Sequence, residues 1–434
     1  MQVLPAGYVV MYSVLLLAGC EGGSHVPAAT AESEDSAGSV RQTRLGPEDS
    51  TTSPILADLA SRTSALPDGS AYESVASAVL AASPGIEAAE LGLAKLRAKA
   101  QWRNRWPMLT PTVTLDSLAG FAASLMVDQP ILGHGRRKAE RERATAEVDL
   151  AAVTLSMRQN DRVFNGLSLY LSADEARAKA LIAEAATNRL ASLHQIVLAR
   201  VAGGVSDSSE EQVIAQTVAE MQAMLASDRR EREQVLTELA ALAGGTDFGA
   251  LTGTVVLSLP LQKDSLSVLR ANGEGVRTLA EARITRAAAL PGLSLVAPLT
   301  EDGATPGLRL GGVQIGLGNA AAVAVADATP ELVATQIAEA RQLAARRRTE
   351  LLGRIATLRS SRAQGAEVFR RARENLDLFN NQYGVGSRSL TDLTTQTAAV
   401  ALLERDHVTL SYDIARLELE LARDAGALVD GGSL

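Results

Sequence analysis

Arg200-Val201-Ala202-Gly203-Gly204-Val205-Ser206 and Tyr383-Gly384-Val385-Gly386-Ser387-Arg388-Ser389 are the two stretches whose reading decides how this chain folds. Arg200, Gly203 and Ser206 return as Tyr383, Gly386 and Ser389, about 183 positions later. Upstream of each turn, Leu193 and Ile196 return as Leu376 and Phe379. Further back, Trp106-Pro107-Met108-Leu109 returns as Leu290-Pro291-Gly292-Leu293. The same punctuation at the same separation indicates an internal duplication. Each half reads as helix, short strand pair, very long helix, tight turn and return helix.

The long helices follow from what lies between the punctuation. After Pro130 no proline occurs until Pro260, and Gly166 is the one glycine of the run 136–201. That run reads as one helix of about 66 residues, on the order of 100 Å. Apolar spacings of three and four recur in it, as in Val163, Leu167 and Tyr170, or Leu190, Leu193 and Val197. Gly203-Gly204 stops it, and Asp207, Ser208 and Ser209 offer N-caps for a return helix reaching about Ala243. In the second half the expected long helix covers 331–383 and the return helix 390–428. Leu403, Leu410 and Leu417 are spaced as heptads there, with Ile414 and Leu421 at the alternate positions. A rod of this length cannot bury its apolar seam against itself. The other repeat, or other copies of the chain, must cover part of it.

Shorter elements fill the remainder. The segment 71–105 reads as helix, interrupted at Pro84-Gly85 and ended by Pro107. Thr112–Leu115 and Phe121–Val127 carry strand patterns, as do Leu293–Val296 and Leu308–Leu317. A connection spans 246–271, and the second repeat opens with a helix over 273–289. The domain plan is a first repeat over 71–245 and a second over 272–430.

Composition narrows the function. The net charge is −8, so the chain lacks the basic footprint of a nucleic-acid binder. Arg136-Arg137-Lys138 and Arg346-Arg347-Arg348 read as solvated helix faces. Aromatics make up only 3% of residues, which suits helices packed closely along their length rather than a bulky core. No HExxH, GxSxG or phosphate loop is present, and His134 has no second ligand at metal spacing. The reading is therefore a non-enzyme without metal or cofactor.

The single cysteine, Cys20, ends Leu17-Ala18-Gly19-Cys20 behind the apolar run Tyr8–Leu17. That run is too short to span a bilayer and resembles the core of a secretory signal. The tetrapeptide resembles a bacterial lipobox, which implies a signal over 1–20 and lipidation of Cys20. Glu21 rather than Asp follows, favouring the outer membrane over retention in the inner one. Residues 21–70 are rich in Ser, Ala, Thr, Gly, Pro and acidic residues and read as a flexible tether.

Together these features resemble the TolC-like outer membrane efflux proteins, in their lipoprotein branch, over roughly 70–430. Gln129-Pro130-Ile131-Leu132-Gly133-His134-Gly135-Arg136-Arg137 looks like the family's junction from second strand into long helix. The two turns quoted at the outset look like its periplasmic tips. The resemblance implies a mainly α fold: duplicated long-helix coiled-coil hairpins forming a tunnel, with short strand pairs contributing to a trimeric outer membrane β-barrel. It implies a homotrimer in outer membrane lipid, docked on a periplasmic adaptor that leads to an inner membrane transporter. Gly203, Gly204, Val205, Ser206, Gly386 and Ser387 match the adaptor-docking tips. Tyr383, Arg388 and Asp392 match positions that close the periplasmic end. Only about 17 residues separate Pro111 from Gln129, against roughly 9 to 11 per membrane-spanning strand, and the barrel's aromatic girdle is nearly absent. These two features keep a second reading open: a periplasmic coiled-coil lipoprotein scaffold that does not conduct.

Overall fold

The computed structural model describes residues 53–103, 106–117, 120–205, 207–258, 263–300, 303–304, 306–311 and 318–433. Cys20, Ser206, most of the expected tether and the stretch 312–317 lie outside them. The helices are α1 (Pro54–Ala60), α2 (Ala71–Ala81), α3 (Ile86–Arg103), α4 (Arg136–Ala202), α5 (Ser208–Leu242), α6 (Leu266–Ala288), α7 (Gly318–Gly384) and α8 (Leu390–Asp424). The strands are β1 (Met108–Ser117), β2 (Gly120–Leu132), β3 (Gly292–Thr300), β4 (Gly303–Ala304) and β5 (Gly307–Gly311). The duplication is visible in the lengths: α4 and α7 have 67 residues each, α5 and α8 have 35 each.

α4 and α7 run the full length of the helical part. Nearer the sheet, the neighbours form the row α3–α4–α6–α7; nearer the turns, the row is α5–α4–α8–α7. α4 is thus flanked on both sides throughout, whereas α7 is an edge in both rows. Burial follows. α4 buries residues along its whole length, among them Val163, Leu167, Leu190 and Val197, all at 0% exposure. α7 buries few, chiefly Val333, Leu351, Ile355 and Leu376. Where the two rows meet, α2 crosses α4 at Gly166. A Cβ on Gly166 would lie 2.8 Å from Val79 Cγ2, so the one glycine of this helix marks a close helix–helix approach. Tyr72, Val75, Leu167, Tyr170, Phe248, Tyr412 and Leu419 fill the core at that level.

Polar contacts fasten the second hairpin to the first beside this core. Asp174 is only 3% exposed. It accepts from Tyr412 Oη at 2.7 Å, Gly253 N at 2.9 Å and Arg177 Nε at 2.8 Å. Burial pushes the Tyr412 hydroxyl well above its usual range, and the bond to Asp174 adds to the shift. Arg416 reaches Glu175 at 2.5 Å and Ser172 at 3.2 Å. Arg405 donates to the Lys179 carbonyl at 3.0 Å and forks onto buried Asp228 of α5.

The sheet is antiparallel, with β2 pairing β1 on one side and β3 on the other; β4 and β5 both pair the outer side of β3. The β2–β3 ladder joins the two repeats. β1 and β2 are longer than the patterned cores Thr112–Leu115 and Phe121–Val127 foretold, at 10 and 13 residues. Each runs through a proline. Pro111 sits in the outermost strand, where a sheet tolerates a missing N–H. Pro130 sits beside the register shift between Pro130 and Leu132.

Three further boundaries differ from expectation. α7 starts at Gly318 and carries Pro330 inside it, rather than starting after the proline. The missing bond costs on the order of 3 kcal/mol, offset by packing of Val333 and Ile337 onto Gly275 of α6. α6 begins at Leu266, because Gly273 and Gly275 act as approach points inside the helix rather than breaks. Within the expected tether, α1 is ordered, capped by Ser53, and buries Ile55 and Leu59.

Candidate functional site

The two turns lie at the same end of the helical rows, opposite the sheet, and share one apolar cluster. Leu190, Leu193 and Val197 of α4 meet Ile214 and Val218 of α5, Leu376 of α7, and Leu390 and Leu393 of α8. The repeated Leu193 and Leu376 are therefore core residues that hold the hairpins together.

Each turn ends its long helix in the same way. Gly204 at φ +73° and Gly386 at φ +78° take the left-handed conformation that a side chain resists. Val205 N then donates to Arg200 O, and Ser387 N to Gln382 O, both at 2.9 Å. These six-to-one bonds satisfy carbonyls that the helix end would otherwise orphan. The next helices are capped by Asp207, which accepts from Ser209 N, and Ser389, which accepts from Asp392 N at 3.1 Å. The Asp207 carboxyl is held below its ordinary range by the hydrogen bond from the Ser209 hydroxyl.

This geometry leaves Val205 79% exposed and Val385 81% exposed. Val385 was not singled out in the sequence: with the left-handed Gly204 and Gly386 matched, one residue off the 183-residue register, it stands opposite Gly203 and not Val205. A valine flanked by glycines at a turn apex, with no apolar periodicity of its own, was the available signal. Gly203, Gly204, Gly386 and Ser387 lie in the same two turns.

Of the three residues matched to closure, Arg388 and Asp392 stand together on the second hairpin. Arg388 lies 3.8 Å from Asp392, with side chains 43% and 48% exposed. Its guanidinium also donates to Gln382 Oε1 at 3.0 Å and sits 4.5 Å from the Phe379 ring centre. Tyr383 faces the other hairpin, with Arg200 5.7 Å from its ring centre. Thr391 reaches Glu210 at 3.4 Å. These polar contacts are more exposed than the Asp174, Glu175 and Asp228 set, so the polar fastening between the hairpins is firmer at mid-length than at the tips.

At the other end of α4, His134 is a non-glycine residue at positive φ, +44°. Its Nε2–H donates to the Pro291 carbonyl at 2.9 Å, linking the two repeat junctions. No group of three potential metal ligands occurs among the described residues, and no helix among them is long and apolar enough to cross a membrane.

No family model matches the chain, and no curated protein matches it in sequence. Solved structures do match in fold. A membrane protein from Pseudomonas aeruginosa superposes with a TM-score of 0.70 at 18% identity, covering 89% of this chain and 96% of that one. The outer membrane protein VceC of Vibrio cholerae gives a TM-score of 0.70 at 16% identity, covering 82% and 96%. The CmeC outer membrane channel of Campylobacter jejuni gives a TM-score of 0.68 at 12% identity, covering 82% and 86%. The chain therefore has the fold of outer membrane channels, spanning nearly their whole length.

Proposed function

We propose that the chain is the outer membrane duct of a tripartite efflux or export system, working as a homotrimer. The observation that carries this reading is the sheet. Among the described residues, β1 and the β4–β5 edge are unpaired on their outer sides within one copy. In lipid an open edge strands its N–H and C=O groups at several kcal/mol each, so only a closed barrel is tolerated. Copies that join edge to edge remove both open edges at once. β1 and β2, at 10 and 13 residues, meet the length of roughly 9 to 11 that a tilted spanning strand needs. The length of the first strand pair supports the duct over the scaffold.

In this reading acylated Cys20 anchors the chain in the outer membrane. The helices form a water-filled tunnel into the periplasm, and the turns at Gly203, Gly204, Val205, Ser206, Gly386 and Ser387 dock on an adaptor leading to an inner membrane transporter. Val205 and Val385 supply apolar apices for that contact. Tyr383, Arg388 and Asp392 close the far end, where the polar contacts are exposed. No chemistry on the cargo is involved.

Reconstitution of the lipidated, full-length protein in planar bilayers tests the reading. Discrete conductance steps from threefold particles are expected, with larger leak in Arg388→Ala and Asp392→Ala. An extended, non-conducting protein would overturn it in favour of the scaffold.

A further inference from the structure

Where the two helical rows meet, α6 starts and α8 stops beside the middle of α7. Buried Arg62 marks the junction, donating to the Asp264 carbonyl at 2.8 Å and to the Ala425 carbonyl. Between these two helix ends and α7 lies an open cleft of about 690 Å³, a size usual for small-molecule sites. The duplication explains the space. Matched end to end, α4 and α7 are offset by 182 positions, so Arg341–Arg348 corresponds to Gln159–Gly166. In the first repeat that stretch holds the place where α2 crosses α4. Val79 lies against Gly166 there, and Arg162 donates to the Val79, Ala82 and Leu242 carbonyls. In the second repeat α7 packs on α6 and α8, and no counterpart of α2 crosses it among the described residues. Ala344 and Ala345 stand where the first repeat has Arg162 and Val163, and Arg348 stands where it has the glycine that lets α2 approach.

The floor of the cleft is apolar, built from Met157, Leu266, Val268, Ala344 and Leu421. Its charge is unbalanced. Arg341, Arg348 and Lys263 line it without an ion pair among the described residues; Lys263 donates to a neutral acceptor, the Ser61 carbonyl, at 2.7 Å. Asp161 and Asp424 are both engaged by Arg423, and Arg347 by Glu350 and Glu420. Among the described residues, Asp264 is the one lining carboxylate without a cation. The helix ends add to the excess of positive charge. The negative end of α8 is answered by Arg62. At the start of α6 the Ser265 hydroxyl pairs with the Ser267 hydroxyl at 2.8 Å and does not cap the helix. The positive end of this 23-residue helix therefore faces the cleft unanswered.

We propose that the cleft binds a single-chain amphiphile with an anionic headgroup, a long-chain carboxylate. Its hydrocarbon chain lies on the floor between α6 and α8, in the space that α2 fills in the first repeat. Its carboxylate accepts charge-assisted hydrogen bonds from the free arginines of α7, which are stronger than neutral ones. A small anion would leave the apolar floor wet, and a neutral lipid would leave the cations unanswered. The site lies within one copy, so it does not depend on the duct reading. Its occupant ties α7, which buries few residues of its own, to the two helix ends beside it.

The test uses full-length lipidated protein in a non-ionic detergent, labelled with a diazirine-bearing photoreactive myristate and mapped by peptide mass spectrometry. Adducts are expected on α7 over 341–348 and at the start of α6, competed by myristate but not by methyl myristate, tetradecyltrimethylammonium or acetate. Arg341→Gln with Arg348→Gln should lower these adducts about tenfold. Ala344→Phe should abolish them with both arginines in place, since it fills the floor; adducts elsewhere on the chain show that each variant is folded and labelled. Equal competition by methyl myristate, or labelling unchanged in either variant, overturns the site. Full competition by acetate identifies a plain anion site and overturns the amphiphile, as does a wild type without adducts in the cleft.

Discussion

Replacing Arg405 with alanine should loosen the mid-length fastening between the hairpins more than any change at the tips. Its guanidinium forks onto Asp228, whose side chain is only 6% exposed, and donates to the Lys179 carbonyl at 3.0 Å. One side chain on α8 therefore ties down α5 and α4 together. Removing it leaves a buried carboxylate without its cation, a loss on the order of 3–5 kcal/mol. Because part of that figure is the stranded charge rather than the worth of the pair, Arg405→Leu with Asp228→Leu should recover most of it. Native-state hydrogen exchange is the assay, read at α5 amides around Asp228 and at α8 amides around Arg405. Protection should fall by roughly two to four decades in Arg405→Ala, at about 1.4 kcal/mol per decade. Amides of α2 and α3 should change little. A loss of less than one decade, or an equal loss in the double variant, would refute the view that an unpaired buried charge is what the single substitution creates.

Gly166→Ala puts a methyl within 2.8 Å of Val79 and should cost about 1–3 kcal/mol as overpacking, relieved by Val79→Ala; urea midpoints of the single and double variants check this. Two buried carboxyls should move stability with pH in opposite senses. Burial holds the Asp149 carboxyl above its ordinary 3.8, against a smaller opposing effect from the Ser53 hydrogen bond. Its folded state binds the proton more tightly, so stability is highest below 3.8, falls as pH rises through the raised folded value, and stays reduced above it. Asp149→Asn should therefore gain stability over wild type at neutral pH and lose that gain in acid. For Glu175 burial acts upward, but the Lys179 and Arg416 hydrogen bonds outweigh it and hold the carboxyl below its ordinary 4.5. Its contribution is present above 4.5 and lost as pH falls through the lowered value. Glu175→Gln should thus be less stable at neutral pH and converge on wild type in acid. Denaturation curves at neutral and acidic pH that shift in the same direction for both variants would count against these assignments.

What the sequence disclosed, and what it withheld, follows the range of the interactions involved. The turns were legible because Gly204 and Gly386 answer a local demand, a left-handed residue after a helix end, which any sequence must meet with the same residue type. The seams at Leu167 and Leu190 were legible because helical spacing is also local. Gly273, Gly275 and Pro330 misled for the complementary reason. Each breaks a local rule, and the contact that compensates, Val333 and Ile337 lying against Gly275, joins positions far apart in the chain. Pro111 and Pro130 shortened the expected strands in the same way, since an edge position and a register shift are properties of the sheet and not of the strand. The closing residues stand one step further out. Arg388 and Asp392 are four apart on one helix and can satisfy each other without help, so neither their spacing nor their contact in one copy separates a cap from a latch. Charge that a chain can pair at home says little about its partners.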